Sequence, residues 1–79
     1  MSVPVVTVYT ARRCHLCERA IDDLAALAAD LEFVVEEIDI TGDPELEARY
    51  RELLPVIEVA GERVSVYRIE SEALRHKLG

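Results

Sequence analysis

The sequence predicts an α/β fold, one mixed sheet of four strands covered by helices, in the order β-α-β-α-β-β-α. Three observations carry this. The hydrophobic pattern alternates between strand-like and helix-like periods through the first two thirds of the chain. Two strand runs then follow one another with only Ala60-Gly61-Glu62 between them, the length and composition of a hairpin turn. Finally, 79 residues leave room for a single domain, expected to span residues 1–79, so every element must share one compact core.

The first strand is expected over Val3 to Thr10, β-branched and almost continuously apolar, as suits a central strand buried on both faces with Pro4 tolerated near its start. From His15 to about Ala29 the period changes. Cys17, Ile21, Leu24, Ala28 and Leu31 form one apolar stripe, while Glu18, Asp22 and Asp23 lie off it, the pattern of an amphipathic helix. Phe33 to Ile40 reads as a second strand, and its interleaved acids point to an edge or half-exposed position. Asp43 followed by Pro44 and Glu45 supplies an N-cap, a first-turn proline and an acid matched to the helix dipole; Leu46, Tyr50 and Leu53 then share one side of a short helix that Pro55 ends. Val56 to Val59 and Arg63 to Ile69 form the hairpin. A last helix begins near Ser71, with Leu74 and Leu78 inward and Arg75, His76 and Lys77 at its C-terminal end. The first two strands should be parallel and the last two antiparallel.

Nine Lys and Arg stand against 16 Asp and Glu, a formal net charge of −7, which argues against general binding to nucleic acid or to anionic membranes. No apolar run approaches a bilayer span, and the apolar start lacks the basic flank of an export signal. The expectation is a cytoplasmic monomer. Two cysteines three residues apart close too small a loop to staple the fold, so Cys14 and Cys17 call for a chemical explanation.

The Cys14-His15-Leu16-Cys17 motif lies where the first strand hands over to the first helix. A thiol at a helix N-terminus meets unpaired N–H groups and the positive end of the macrodipole, which favour thiolate. Arg12, Arg13 and Arg19 gather around it in an otherwise acidic chain. Cys14 is therefore the candidate nucleophile, and Cys17, one turn inside on the apolar stripe, the candidate resolving thiol. Arg13 and His15 are placed to tune the thiols, histidine being the side chain that can change charge near physiological pH. Other readings stay open: a structural zinc or iron–sulfur site, for which only His15 and the distant His76 could join the cysteines, or a pair of buried core thiols in a non-enzymatic binding module. No metal site is expected. Glu58 interrupts an apolar strand and has no account at this level.

Val8 to Ala20 (V-Y-T-A-R-R-C-H-L-C-E-R-A), Asp39 to Leu46 (D-I-T-G-D-P-E-L) and Leu54 to Gly61 (L-P-V-I-E-V-A-G) together resemble the glutaredoxin-like branch of the thioredoxin superfamily over nearly the whole chain. The resemblance implies a thioredoxin/glutaredoxin-like fold and a thiol–disulfide oxidoreductase that reduces protein or small-molecule disulfides. It further implies a cis Leu54-Pro55 bond beside the cysteines, with Leu54 and Pro55 contacting substrate. Arg12 partly replaces a basic residue usual in the glutathione-using members. No bound cofactor is implied; the upstream reductant would be glutathione or a thioredoxin-reductase-type enzyme, and the partners disulfide-containing proteins or small thiols. Two departures weaken the glutathione expectation: Ala11 stands where those members carry Lys, and Tyr67-Arg68-Ile69-Glu70-Ser71 lacks their Gly-Gly pair. The dipeptide His15-Leu16 also departs from the family's Pro and aromatic residue, so its redox poise does not transfer.

Overall fold

A computed structural model describes residues 3–79. Its elements are β1 (Val5–Thr10), α1 (His15–Leu31), β2 (Val34–Asp39), α2 (Pro44–Tyr50) continued by a 3-10 turn (Arg51–Leu53), β3 (Val56–Val59), β4 (Glu62–Val66) and α3 (Ser71–Leu78). The sheet order is β2-β1-β3-β4, with β1 parallel to β2 and β3 antiparallel to both of its neighbours. This is the expected four-stranded mixed sheet, and β2 lies at an edge as its acids require.

The local signals act as their chemistry dictates. The Asp43 carboxylate accepts from the N–H groups of Glu45 and Leu46 at 3.1 Å, and Pro44 fills the first turn of α2. Cys17, Ala20 and Leu24 are buried along α1, with Ile21, Ala28 and Leu31 packed half-buried beside them. Three boundaries and one burial pattern differ from the sequence reading. β1 starts at Val5, because Pro4 has no N–H for the ladder, although its carbonyl still accepts from Val34 N–H at 3.0 Å. β1 is fully buried on one face only, at Val6, Val8 and Thr10; Thr7 and Tyr9 on the other are half-buried. α1 runs to Leu31 before Glu32 turns left-handed at φ 56°. β4 ends at Val66 instead of Ile69, because Tyr67 adopts φ 71° and leaves the extended conformation.

The sheet has two unlike faces. Against α1 and α3, Val6, Val8, Leu24, Phe33, Ile57, Val59 and Leu74 form the larger core. On the α2 side, a smaller cluster of Ile40, Tyr50 and Val56 is joined by the half-buried Tyr9, Ala11 and Leu54. Glu58 belongs to this second face and receives the Tyr50 hydroxyl at 3.4 Å. That contact explains the acid within an apolar strand: it satisfies a buried phenol.

Candidate active site at the start of the first helix

Cys14 is the N-cap of α1, a position that needs a side-chain acceptor and is usually filled by Ser, Thr, Asp or Asn. Its sulfur takes that role, accepting from Cys17 N–H at 3.2 Å. The two cysteines are joined by a disulfide, with their Cα atoms 5.2 Å apart. Their exposures differ sharply: Cys14 is half-buried at the surface, whereas Cys17 is only 1% exposed.

Arg13, immediately before the cap, has φ 59°, a left-handed backbone that a side chain adopts at some cost. This turn swings the chain from β1 into α1. It leaves Arg12 and Arg13 lining, together with Cys14, a cleft of about 390 Å³. Ala11, Ile40 and Leu54, all drawn from the α2-side cluster, contribute apolar surface to the same cleft. The remaining lining residues, Thr41, Glu47 and Arg51, were not singled out from the sequence. Thr41 ties two loops together, since its hydroxyl accepts from Arg12 N–H at 3.1 Å while its own N–H donates to Asp39 Oδ1 at 2.8 Å. Hydrogen bonds from Thr41, and after them the positive charge of Arg12, hold the Asp39 carboxyl below its ordinary range. Arg51 pairs with Glu47 one turn earlier at 2.6 Å. That spacing of acid and base is visible in the sequence, but the cleft it borders is a tertiary product.

Leu54-Pro55 is cis. Leu54 faces the cleft with Cys14, and Pro55 is fully buried behind it. The Pro55 carbonyl accepts from Tyr67 N–H at 2.9 Å, and the Tyr67 hydroxyl donates to the Glu52 carbonyl at 3.1 Å, so the left-handed Tyr67 clasps both ends of the segment carrying Leu54. Tyr67 thus reaches a glycine-like backbone geometry while keeping its side chain. His15 lies outside the cleft; its ring is 97% exposed and faces Glu18 at 3.4 Å. Arg19 is exposed and likewise does not line the cleft. Among the described residues no three His, Cys, Asp or Glu side chains cluster as a metal site, and no helix is long and apolar enough to cross a membrane.

The family described as Glutaredoxin-like domain (DUF836) matches residues 5–79. The chain belongs to that family. An uncharacterized protein of Mycobacterium tuberculosis, Rv0508, is 34% identical over 80 residues, covering 95% of this chain and 82% of its own length. Among solved structures, protein Ne2328 from Nitrosomonas europaea aligns with a TM-score of 0.86 at 27% identity, covering all of this chain and 95% of its own. Thioredoxin from Fasciola hepatica aligns at 0.60 with 23% identity, over 96% of this chain and 78% of its own, a likeness of fold. This glutaredoxin-like protein therefore has a thioredoxin fold, and its Cys14–Cys17 pair, within disulfide reach at the start of α1, supports a redox role in general terms.

Proposed function

We propose that this glutaredoxin-like protein is a thiol–disulfide oxidoreductase that reduces disulfides of proteins or small molecules through a Cys14/Cys17 dithiol cycle. The observation that carries the reading is the position of Cys14: an N-cap sulfur bordering an open cleft, one turn from a buried partner thiol. In the reduced protein, the Cys17 N–H, the N-terminal end of α1 and the charges of Arg12 and Arg13 all stabilise negative charge on Cys14 Sγ. The thiolate attacks one sulfur of the substrate disulfide, forming a Cys14–substrate mixed disulfide and expelling the other sulfur as a thiolate. Cys17 then loses its proton and attacks Cys14 Sγ. The second substrate thiol leaves, and the protein holds the Cys14–Cys17 disulfide.

Two electrons and two protons from an external thiol reductant restore the dithiol. Glutathione and a thioredoxin-reductase-type enzyme are the candidate suppliers. Weak use of glutathione fits Ala11 and the Tyr67 side chain, which occupies the surface where glycine would leave backbone open. Leu54 and Pro55 would form the apolar wall against which substrate lies.

The test is anaerobic mixing of the prereduced protein with a peptide disulfide and with the glutathione mixed disulfide of that peptide. Release of two substrate thiols per protein oxidised, with mass spectrometry locating the new disulfide at Cys14–Cys17, is the expected result. Unreactive thiols towards both substrates would instead support a passive structural pair. Rapid, saturable single-turnover reduction of the glutathione mixed disulfide would overturn the weak-glutathione expectation.

A further inference from the structure

The field around Cys14 opposes that of the whole protein. The chain carries −7, yet its active-site cleft is bordered by Arg12, Arg13 and Arg51 against the single acid Glu47. The cleft also does not end there. A second depression of about 440 Å³ shares Glu47 and Arg51 with it and continues over the end of α2 past Arg49 to Glu52 and Leu53. The two adjoin at the paired Glu47 and Arg51, a track lined by four of the chain's eight arginines against two acids, Glu47 and Glu52.

Arg49 and Arg51 are both exposed, and their positions differ in detail. The Arg49 guanidinium lies 6.0 Å from the centre of the Tyr50 ring, where the π face holds it without consuming its donors. Arg51 gives one nitrogen to Glu47, but a guanidinium has five N–H donors, so the others remain for an incoming carboxylate. A small ligand would fill one lobe. Two adjoining depressions lined by four arginines against two acids suit an extended chain bearing several carboxylates.

We propose that the track docks an acidic polypeptide segment adjoining the disulfide to be reduced, so that Arg49 and Arg51 determine specificity for disulfides flanked by Asp and Glu; the reducing step rests on the function proposed above. The charge arrangement also explains how a strongly acidic protein meets an acidic partner. Local attraction at the track steers the encounter, while repulsion from the rest of the surface disfavours other orientations.

Three peptides of equal length test this, each with one central disulfide flanked by acidic, neutral or lysine residues. Single-turnover reduction by the prereduced protein is measured at low and high salt, and binding of disulfide-free versions is measured by fluorescence anisotropy. The acidic peptide should be reduced about ten-fold faster than the lysine peptide at low ionic strength, an advantage that shrinks as salt screens the track. Arg49→Glu should narrow the acid-to-lysine ratio, whereas Arg63→Glu, the same change in net charge at an exposed position of β4, should narrow it far less. Equal reduction of the three peptides, or equal losses in the two variants, overturns the specificity while leaving the oxidoreductase intact. Preferential binding of the acidic peptide by a protein that reduces no disulfide does the reverse: the docking track stands and the redox reading falls.

Discussion

The two faces of the sheet are built from different chemistry. The face under α1 and α3 is the dry one: seven apolar residues form its core, and Thr10, on the same side of β1 as Val6 and Val8, is a buried polar side chain at its margin. The α2 face has three buried residues, two stacked tyrosines whose ring centres lie 4.1 Å apart, and a carboxylate, and its edge opens into the cleft beside Cys14. The contrast separates two tasks. Aliphatic packing against the long helix fixes the fold, and because Cys17 is rooted in that helix, its sulfur is held rigidly. The smaller, partly polar face leaves room for the open cleft beside Cys14.

The largest effects should come from the cysteines, which straddle the two regions. Cys14→Ser should abolish disulfide reduction. Cys17→Ser should attack once and stall as a mixed disulfide, visible by mass spectrometry as a stable adduct. In the reduced parent protein, alkylation at mildly acidic pH should label Cys14 before Cys17, because only Cys14 combines solvent access with the N-cap position. Faster labelling of Cys17, or parent-rate turnover by Cys17→Ser without added thiol, would break the assignment of one sulfur to each region.

Next in size is the dry face itself. Leu24 is fully buried between α1 and the sheet, so Leu24→Ala removes transferred surface and leaves a cavity, a loss of about 2–5 kcal/mol. Chemical denaturation measures it. Its effect on Cys14 alkylation in the folded variant should be small, since the cleft is lined from the other face. A large change in thiol reactivity would show that the two faces are not separable.

The polar face should reveal itself at alkaline pH. Burial first, then the hydrogen bond with Tyr50 and the charge of Glu58, push the Tyr9 phenol from 10.0 up to about 12. The folded state thus holds this proton more tightly than the unfolded chain. The associated stability is present in full below pH 10 and is lost as pH rises towards 12. Denaturation midpoints should fall over that window in the parent and fall less in Tyr9→Phe. Glu58→Gln should lower the Tyr9 titration followed by NMR, yet leave it above 10, because burial remains. An unchanged titration would remove Glu58 from the cluster's electrostatics.

The secondary structure and the placement of the two cysteines were readable in the sequence, since both rest on local rules: the stripe from Cys17 to Leu31, the Asp43 cap, the helix start at Cys14. Its limits were set by distance along the chain and by backbone angle. Glu58 made sense only once Tyr50, eight residues earlier, was folded against it. Thr41, Glu47 and Arg51 reach the cleft because the end of α2 comes to rest beside the β1–α1 loop, and no periodicity encodes that approach. Arg13 and Tyr67 adopt left-handed backbones without being glycine, so composition gave no warning of the turn before Cys14 or of the early end of β4.

The smallest expected effect tests a feature common to both faces. The β3–β4 hairpin turns through Ala60 at φ 53° and Gly61 at φ 80°, two consecutive left-handed residues as in a type I′ turn. Gly61 adopts this freely, whereas the Ala60 side chain is strained there. Asn tolerates the conformation, so Ala60→Asn should stabilise the protein by about 0.5–1 kcal/mol, read as a higher urea midpoint with an unchanged slope. β3 supplies Ile57 and Val59 to the dry face and Val56 and Glu58 to the polar one, so a tighter hairpin supports both equally. The variant should therefore raise stability without shifting either the Tyr9 titration or the order of cysteine alkylation. If stability rises and the Tyr9 titration moves with it, the hairpin register controls the polar face, and the bulge between Ile57 and Glu58 becomes the place where that control is exerted.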